Sequence, residues 1–338
     1  MLAAVFRRGE LGIEELPIPQ PGPGEVRIKV RYASICGSDL FLVSSGRLKD
    51  GTILGHEMSG EVEELGEGVE GLFPGQGVIV RPIGCGRCPP CRRGQENLCP
   101  KRLAIGLGEL PGAFGQYLVV PKGMIIPIPP GLDLALAALA EPMATALHAI
   151  RLSQISPGDR VVVIGAGGIG LCCVAVLRAL GIEHILVSEP APGRRQRALA
   201  LGAQLAIDPA EENLAEACAD WCKGEEVSAV IECAGKAETV DQALKLVSPG
   251  GKVALVGLAK GTLQWAPALA MLKELKIQGS FANTQRECRQ CLDMMASGKI
   301  QPREMVEREV SLWELPEVFR SLMATPGDGK ILVRVAQD

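Results

Sequence analysis

Val161-Val162-Val163-Ile164-Gly165-Ala166-Gly167-Gly168-Ile169-Gly170 decides how the rest of the chain is read. Four consecutive β-branched apolar residues predict a strand buried on both faces, and the apolar run from Leu171 to Leu180 predicts a helix. The glycines between them have separate tasks. Gly165 permits the tight turn, Gly167 lets backbone amides approach a pyrophosphate, and Gly170 lets helix and strand pack closely. Gly168 and Ile169 open the helix, whose positive end faces the phosphates. A second short strand, 185–188, delivers Glu189 where a carboxylate would hydrogen-bond an adenosine ribose. Three glycines alone would fit other doubly wound sheets. Strand, glycine turn, helix and acid together predict a Rossmann dinucleotide-binding unit. Glu189 favours NAD over NADP, because a carboxylate repels a 2′-phosphate, and Arg194 and Arg195 soften that preference without reversing it.

Working outward, the same βα rhythm holds from about residue 159. Strands are expected at 160–165, 184–189, 205–208, 228–233, 252–257 and 276–281, forming one parallel sheet of six. Two helical segments, 284–297 and 314–324, and a closing strand at 330–335 follow. Before residue 150 the pattern is different. Residues 26–32 alternate like a half-buried strand, and 60–80 shows short apolar runs separated by glycines, so a small barrel-like β domain is expected. The fold class expected is therefore α/β, a doubly wound parallel sheet beside a β-barrel domain. The division is 1–150 for the barrel, completed by about 285–338, and 151–284 for the Rossmann unit.

Composition narrows the function classes. A formal charge of -4 with both signs interspersed provides no broad basic field for nucleic acid. No apolar run approaches the roughly eighteen residues of a membrane span, and residues 1–10 lack a signal peptide's apolar core, so a cytoplasmic protein is expected. Twelve cysteines without an export signal favour metal over disulfides, while three histidines, His56, His148 and His184, leave few imidazoles for a metal.

Cys85-x2-Cys88-x2-Cys91-x7-Cys99 is the most specific local signal. Four thiolates in a lobe at 84–100 punctuated by Gly and Pro can wrap one tetrahedral zinc with no open position, which makes the site structural. Free or redox-active thiols are the alternative. The remaining pairs, Cys218 with Cys222 and Cys288 with Cys291, fall in helical patterns and are expected to be buried packing thiols, as are Cys172 and Cys173. A second metal signal is more scattered. Cys36 in Ile35-Cys36-Gly37-Ser38-Asp39 lies twenty residues before Leu54-Gly55-His56-Glu57. Cysteine, histidine and carboxylate suit zinc with an open position, although a buried cysteine and an ordinary loop histidine fit the same letters.

Taken together, these motifs resemble the zinc-dependent medium-chain dehydrogenase/reductase family, closest to its polyol, butanediol and threonine dehydrogenase branch. Gly55-His56-Glu57-x2-Gly60-x5-Gly66-x2-Val69 is similar to the family's zinc signature, Cys36-Gly37-Ser38-Asp39 to its first-ligand loop, 85–99 to its structural lobe and 165–170 to its cofactor turn. The resemblance spans essentially the whole chain and implies that the barrel domain is GroES-like. It implies two zinc ions per subunit. Cys36, His56 and Glu141, the last from Ala140-Glu141-Pro142, would hold the catalytic one, with Glu57 ligating directly or holding a zinc-bound water. Thr145 would lie near the nicotinamide, Arg194 over the adenosine ribose and Lys330 at the pyrophosphate.

The implied activity is NAD-linked oxidation of a secondary alcohol, diol or polyol to the ketone, by hydride transfer from an alkoxide on zinc. Ser38 would be the first proton acceptor, passing the proton on because a serine cannot hold the charge. Three departures weaken a sorbitol-like substrate, one of them the lack of a polyol-type aromatic hydroxyl where Leu42 and Val43 stand. Phe41 stands where many members have a relay histidine, and 279–284 lacks the Arg-Tyr pair used on sugar hydroxyls. A homodimer or homotetramer, with a small alcohol as the only other partner, follows from family habit. The rival readings are a zinc-free quinone or enone reductase of the same superfamily and a non-catalytic, zinc-stabilised nucleotide-binding protein.

Overall fold

A computed structural model describes residues 1–107, 110–258 and 262–336. The chain forms two compact units, one of Met1–Glu141, Thr284–Ser297 and Val306–Asp338, the other of Pro142–Asn283 and Gly298–Met305.

The first unit is built around one long strand, Glu25–Ser34, in which Val26, Ile28 and Val30 are fully buried while Arg27, Lys29 and Arg31 alternate outward. Its neighbours on the two sides are Lys330–Arg334 and Glu57–Leu65, both antiparallel to it. Val306–Ser311 extends the sheet beyond Lys330–Arg334, and Gly77–Val80 with Ile125–Pro127 extends it beyond Glu57–Leu65. The final strand of the chain is thus inserted beside one of the earliest. The core is aliphatic around an edge-to-face pair, Phe114 against Phe319, with ring centroids 6.0 Å apart.

In the second unit the described residues form one six-stranded parallel sheet. Its spatial order is Leu205–Ile207, His184–Ser188, Arg160–Ile164, Ala229–Glu232, Lys252–Leu255 and Lys276–Gly279. Counted along the chain this is 3-2-1-4-5-6, the doubly wound order that leaves a crevice at the carboxyl ends of strands 1 and 4. All six expected strands are present. The run 161–164 is buried on both faces, and helix Gly168–Ala179 buries every residue from Gly170 to Leu177, which explains why its sequence is apolar all round. The short segment Gly298–Met305 packs in this unit rather than with its chain neighbours, where Arg197 Nη1 donates to the Glu304 carbonyl at 3.0 Å. No helix among the described residues is long and apolar enough to cross a membrane.

Candidate metal centres and dinucleotide turn

Strand register explains how two segments twenty residues apart in sequence meet. Ser34 pairs with Glu57 across the first unit's central ladder, so Cys36 lies two residues beyond one end of that rung and His56 one residue before the other. Gly55 supplies the φ of +94° that turns the chain into His56, and a Cβ there would strike Phe114 at 2.9 Å. One ligand atom from each of Cys36, His56 and Glu57 falls within 4.8 Å of the others. Thiol, imidazole and carboxylate in that space fit a zinc ion.

Two residues support this set. Asp39 is fully buried; its Oδ2 accepts from the Cys36 amide at 3.0 Å and its Oδ1 from the Gly55 amide at 3.4 Å, so one carboxylate fastens both ligand loops. The same Oδ1 is 3.2 Å from His56 Nδ1, close enough for charge to act but off the N–H axis. Burial works against an imidazolium here, but the Asp39 carboxylate, followed by Cys36, holds the ring well above the usual histidine range. The opposite nitrogen, Nε2, lies 3.2 Å from Ser38 Oγ. An imidazole with a carboxylate charge beside Nδ1 and only a serine hydroxyl at Nε2 can present Nε2 to a metal ion.

Lys330, from the C-terminal strand, is the second support. Its ammonium is buried, 2.5 Å from Glu57 Oε2 and 2.8 Å from the Ile35 carbonyl. Glu57 is itself only 1 % exposed and requires a countercharge, which the inserted C-terminal strand delivers. Glu141, the third ligand that the family resemblance implies, comes from another element. It lies in the first turn of helix Ala140–Leu152, and its charge acts on buried Cys288, whose thiol is pushed well above its usual range by burial and then by Glu141.

The four lobe cysteines bring their sulfur atoms within 4.8 Å of one another. Cys88 Sγ is 3.3 Å from Cys91 Sγ and 3.7 Å from Cys99 Sγ, and the amides of Cys85 and Lys101 point at Cys99 Sγ at 3.3 and 3.4 Å. Backbone amides of Arg87 and Cys88 lower the Cys85 thiol to about 6, whereas burial and the crowding thiols raise Cys91 to about 12. Crowded thiols that compete for protons fit a tetrahedral zinc, because the cation removes the competition. The lobe is tied down by Glu96, whose Oε1 accepts from Arg81 Nη1 at 3.1 Å and from the Gln285 amide at 3.0 Å.

In the second unit Gly165 has a φ of +91° and a Cβ on Gly170 would lie 1.9 Å from the Gly165 carbonyl, so turn and helix touch backbone to backbone. Gly167 is different: the nearest atom to a Cβ there is Arg194 Nη1 at 3.9 Å, which leaves open space at the helix N-terminus. Glu189 accepts from the amides of Ala166 at 2.7 Å and Ala191 at 3.0 Å, with Arg194 Nη1 3.7 Å from its Oε1. Arg195 is committed elsewhere, to Asp208 and to the carbonyls of Glu189 and Pro190. Thr145 Oγ1 accepts from Asn283 Nδ2 at 3.0 Å. Of the helical cysteines, Cys218, Cys222, Cys288 and Cys291 are buried, as expected.

Asp39 had no role assigned from sequence, although Cys36-x2-Asp39 has the spacing of a capping box, which the helix Gly37–Ser44 forms. Glu96 and Arg81 carried no sequence signal at all.

Residues 22–130 match the alcohol dehydrogenase GroES-like domain and 168–297 the zinc-binding dehydrogenase domain. The L-threonine 3-dehydrogenase of Pyrococcus horikoshii is 35% identical over 98% of each chain. Among solved structures, the alcohol dehydrogenase TADH from Thermus sp. ATN1 superposes with a TM-score of 0.92 at 34% identity, covering 99% of this chain and 100% of that one. A protein of Sinorhizobium meliloti 1021 described as a zinc-binding dehydrogenase and crystallised with NADP superposes with a TM-score of 0.91 at 34% identity over 98% of each chain. With both domain types in order and the whole length aligned, the chain belongs to the zinc-dependent medium-chain dehydrogenase/reductase family and is an oxidoreductase of its alcohol and polyol dehydrogenase group.

Proposed function

We propose that this enzyme oxidises the secondary hydroxyl of a small diol, polyol or amino alcohol to the ketone with NAD, using one catalytic and one structural zinc ion. The observation that carries this reading is the convergence of Cys36, His56 and Glu57 ligand atoms at the end of a barrel strand. That donor set also argues against a zinc-free quinone or enone reductase, which has no use for it. When bound, zinc supplies the Lewis acidity that lowers the pKa of a substrate hydroxyl, and the nicotinamide supplies the hydride acceptor.

Cys36 and His56 would hold that zinc with a carboxylate, either Glu141 as the family resemblance implies or Glu57, whose ligand atom lies within 4.8 Å of theirs. Asp39 orients the imidazole. Lys330 holds Glu57 and thereby competes for it, which suits a carboxylate that ligates only part of the time. Ser38, beside His56 Nε2, would take the substrate proton, and the absence of a histidine at Phe41 leaves onward transfer to water or cofactor hydroxyls. Thr145, fixed by Asn283, would pack against the nicotinamide, and Glu189 with Arg194 would hold the adenosine ribose. The relative crystallised with NADP keeps that second nucleotide in the test.

We also infer a homodimer through the outermost strand, Lys276–Gly279. No further strand pairs with it among the described residues, and apolar Leu258, Met271, Leu272, Ile277 and Phe281 are all exposed nearby in sequence. Ile277→Lys is expected to yield monomers by light scattering, and an unchanged mass would remove this interface. The reaction is tested by metal analysis together with NAD and NADP reduction on a panel of alcohols, polyols and threonine. Two metals per chain and chelator-sensitive turnover are expected. One metal and no turnover on any substrate would favour a non-catalytic nucleotide-binding protein.

A further inference from the structure

Glu232 ends strand Ala229–Glu232, the fourth of the second unit, and its side chain is completely buried. Its Oε1 gathers three donors: the amides of Ala234 at 2.9 Å and Gly235 at 2.8 Å, and the hydroxyl of Thr239 at 2.8 Å, whose proton also faces the Lys236 carbonyl at 2.9 Å. Its Oε2 has no hydrogen-bond partner among the described residues. A buried carboxylate oxygen without a donor is costly, so its retention calls for an explanation in what its position does for the surrounding loops.

The segment that Glu232 ties down is wedged between two others. On one side a Cβ at Gly165 would lie 2.9 Å from the Ala234 amide, and Gly170 approaches Cys233. On the other side a Cβ at Gly257 would lie 2.4 Å from the Gly235 amide and 2.9 Å from Glu232 Oε2, and a Cβ at Gly235 would lie 2.8 Å from the Leu258 carbonyl. The Glu232 carbonyl accepts from the amides of Val256 and Gly257 at 3.0 and 2.9 Å. Three loops at the carboxyl ends of strands 1, 4 and 5 therefore pack backbone against backbone, with the Glu232 carboxylate at their centre.

The sheet order says which half of a dinucleotide meets them. Pyrophosphate belongs at the turn after strand 1, and the adenosine ribose belongs at Glu189 after strand 2. The nicotinamide half must then extend the opposite way, over the ends of strands 4 and 5. We propose that Glu232 is a positioning residue for the nicotinamide half of the cofactor, holding 233–235 and 256–258 as one rigid floor. This rests on the dinucleotide reading of the glycine turn, and the test separates the two.

NADH, NADPH and ADP-ribose are titrated into the wild type and into Glu232→Ala, Glu232→Gln and Thr239→Val. Glu232→Ala is expected to bind the preferred reduced dinucleotide about tenfold more weakly, with ADP-ribose affinity and metal content unchanged. Glu232→Gln, which keeps an acceptor for the three donors, should recover most of the loss. Thr239→Val removes only one donor and should lose a few-fold, which keeps the proposal testable if the alanine variant does not fold. Equal weakening of dinucleotide and ADP-ribose would reduce Glu232 to a fold-stabilising residue and overturn the assignment, as would unaltered binding in both the Glu232→Ala and Thr239→Val proteins. A wild type that binds neither nucleotide would sink the dinucleotide reading itself, and this proposal with it.

Discussion

The four-cysteine lobe and the Cys36–His56–Glu57 group are both compact clusters of atoms able to hold a metal ion, yet they are assembled in opposite ways. The lobe draws all its sulfurs from fifteen consecutive residues, and its fixed points are amides of the same loop. The other group needs the Ser34–Glu57 rung to bring two distant segments together, and it needs Asp39 and Lys330 to hold them. A site closed within one loop can tolerate displacement of the surrounding sheet. A site strung across strands inherits every change in their register, and its supporting side chains become as consequential as its ligands.

The largest expected effect tests that contrast directly. Cys36→Ser should lower turnover by about a thousandfold, since metal charge stabilisation is worth several kcal/mol, while the lobe metal remains in place. Cys91→Ser should do the converse: the lobe loses its metal and the thermal midpoint falls by several degrees, while activity per catalytic metal persists below that temperature. Metal analysis beside steady-state rates reads both. If Cys36→Ser also empties the lobe, the two sites are one cooperative unit and the contrast fails.

Next comes Lys330. Replacing it with methionine strands the Glu57 carboxylate, which is buried, and about 3–5 kcal/mol of stability should be lost, as for other broken buried pairs. Arginine should restore much of it. Denaturant melts followed by a probe in the first unit measure this, and a methionine variant as stable as the wild type would show that Glu57 does not need its partner.

These supports mark the boundary of what the sequence discloses. The strand, the glycine turn and the acid about twenty residues on are local in sequence, so the six-stranded parallel sheet was legible, whereas its strand order was not read from sequence. The cysteine lobe was legible for the same reason. The pairing of Lys330 with Glu57 was not legible, because the two lie 273 residues apart and meet only through strand insertion. Arg81 and Glu96 went unread because a salt bridge between two surface-type residues leaves no periodic trace. Asp39 falls between these cases, since its capping role is local but its pull on His56 is not.

Asp39→Asn sharpens the comparison at smaller amplitude. The amide retains an acceptor for the Cys36 N–H but loses the charge facing His56, and zinc affinity at the catalytic group should fall roughly 10–100-fold, the range for outer-shell partners of metal ligands. Lobe affinity should not move. Competition with a chromophoric chelator distinguishes the two sites, and equal losses at both would place Asp39 in general stability rather than in ligand orientation.

The smallest effect is expected at Glu189, which belongs to neither metal site but shares the lobe's locality. Its carboxylate already accepts the Ala166 and Ala191 amides and so braces the glycine turn, while Arg194, 3.7 Å from its Oε1, borders the space beside Gly167 where a ribose would lie. On the proposed reading, Glu189→Ala would remove one hydrogen bond to a ribose hydroxyl and one repulsion against a 2′-phosphate, and the NAD-to-NADP preference in kcat/KM should shift about tenfold toward NADP. Arg194, 3.7 Å from Glu189 Oε1, gains freedom in the same variant and adds attraction for the phosphate. If the ratio is unchanged while both nucleotides bind more weakly, bracing is the only task of Glu189, and nucleotide choice must be made by groups that the local pattern does not contain.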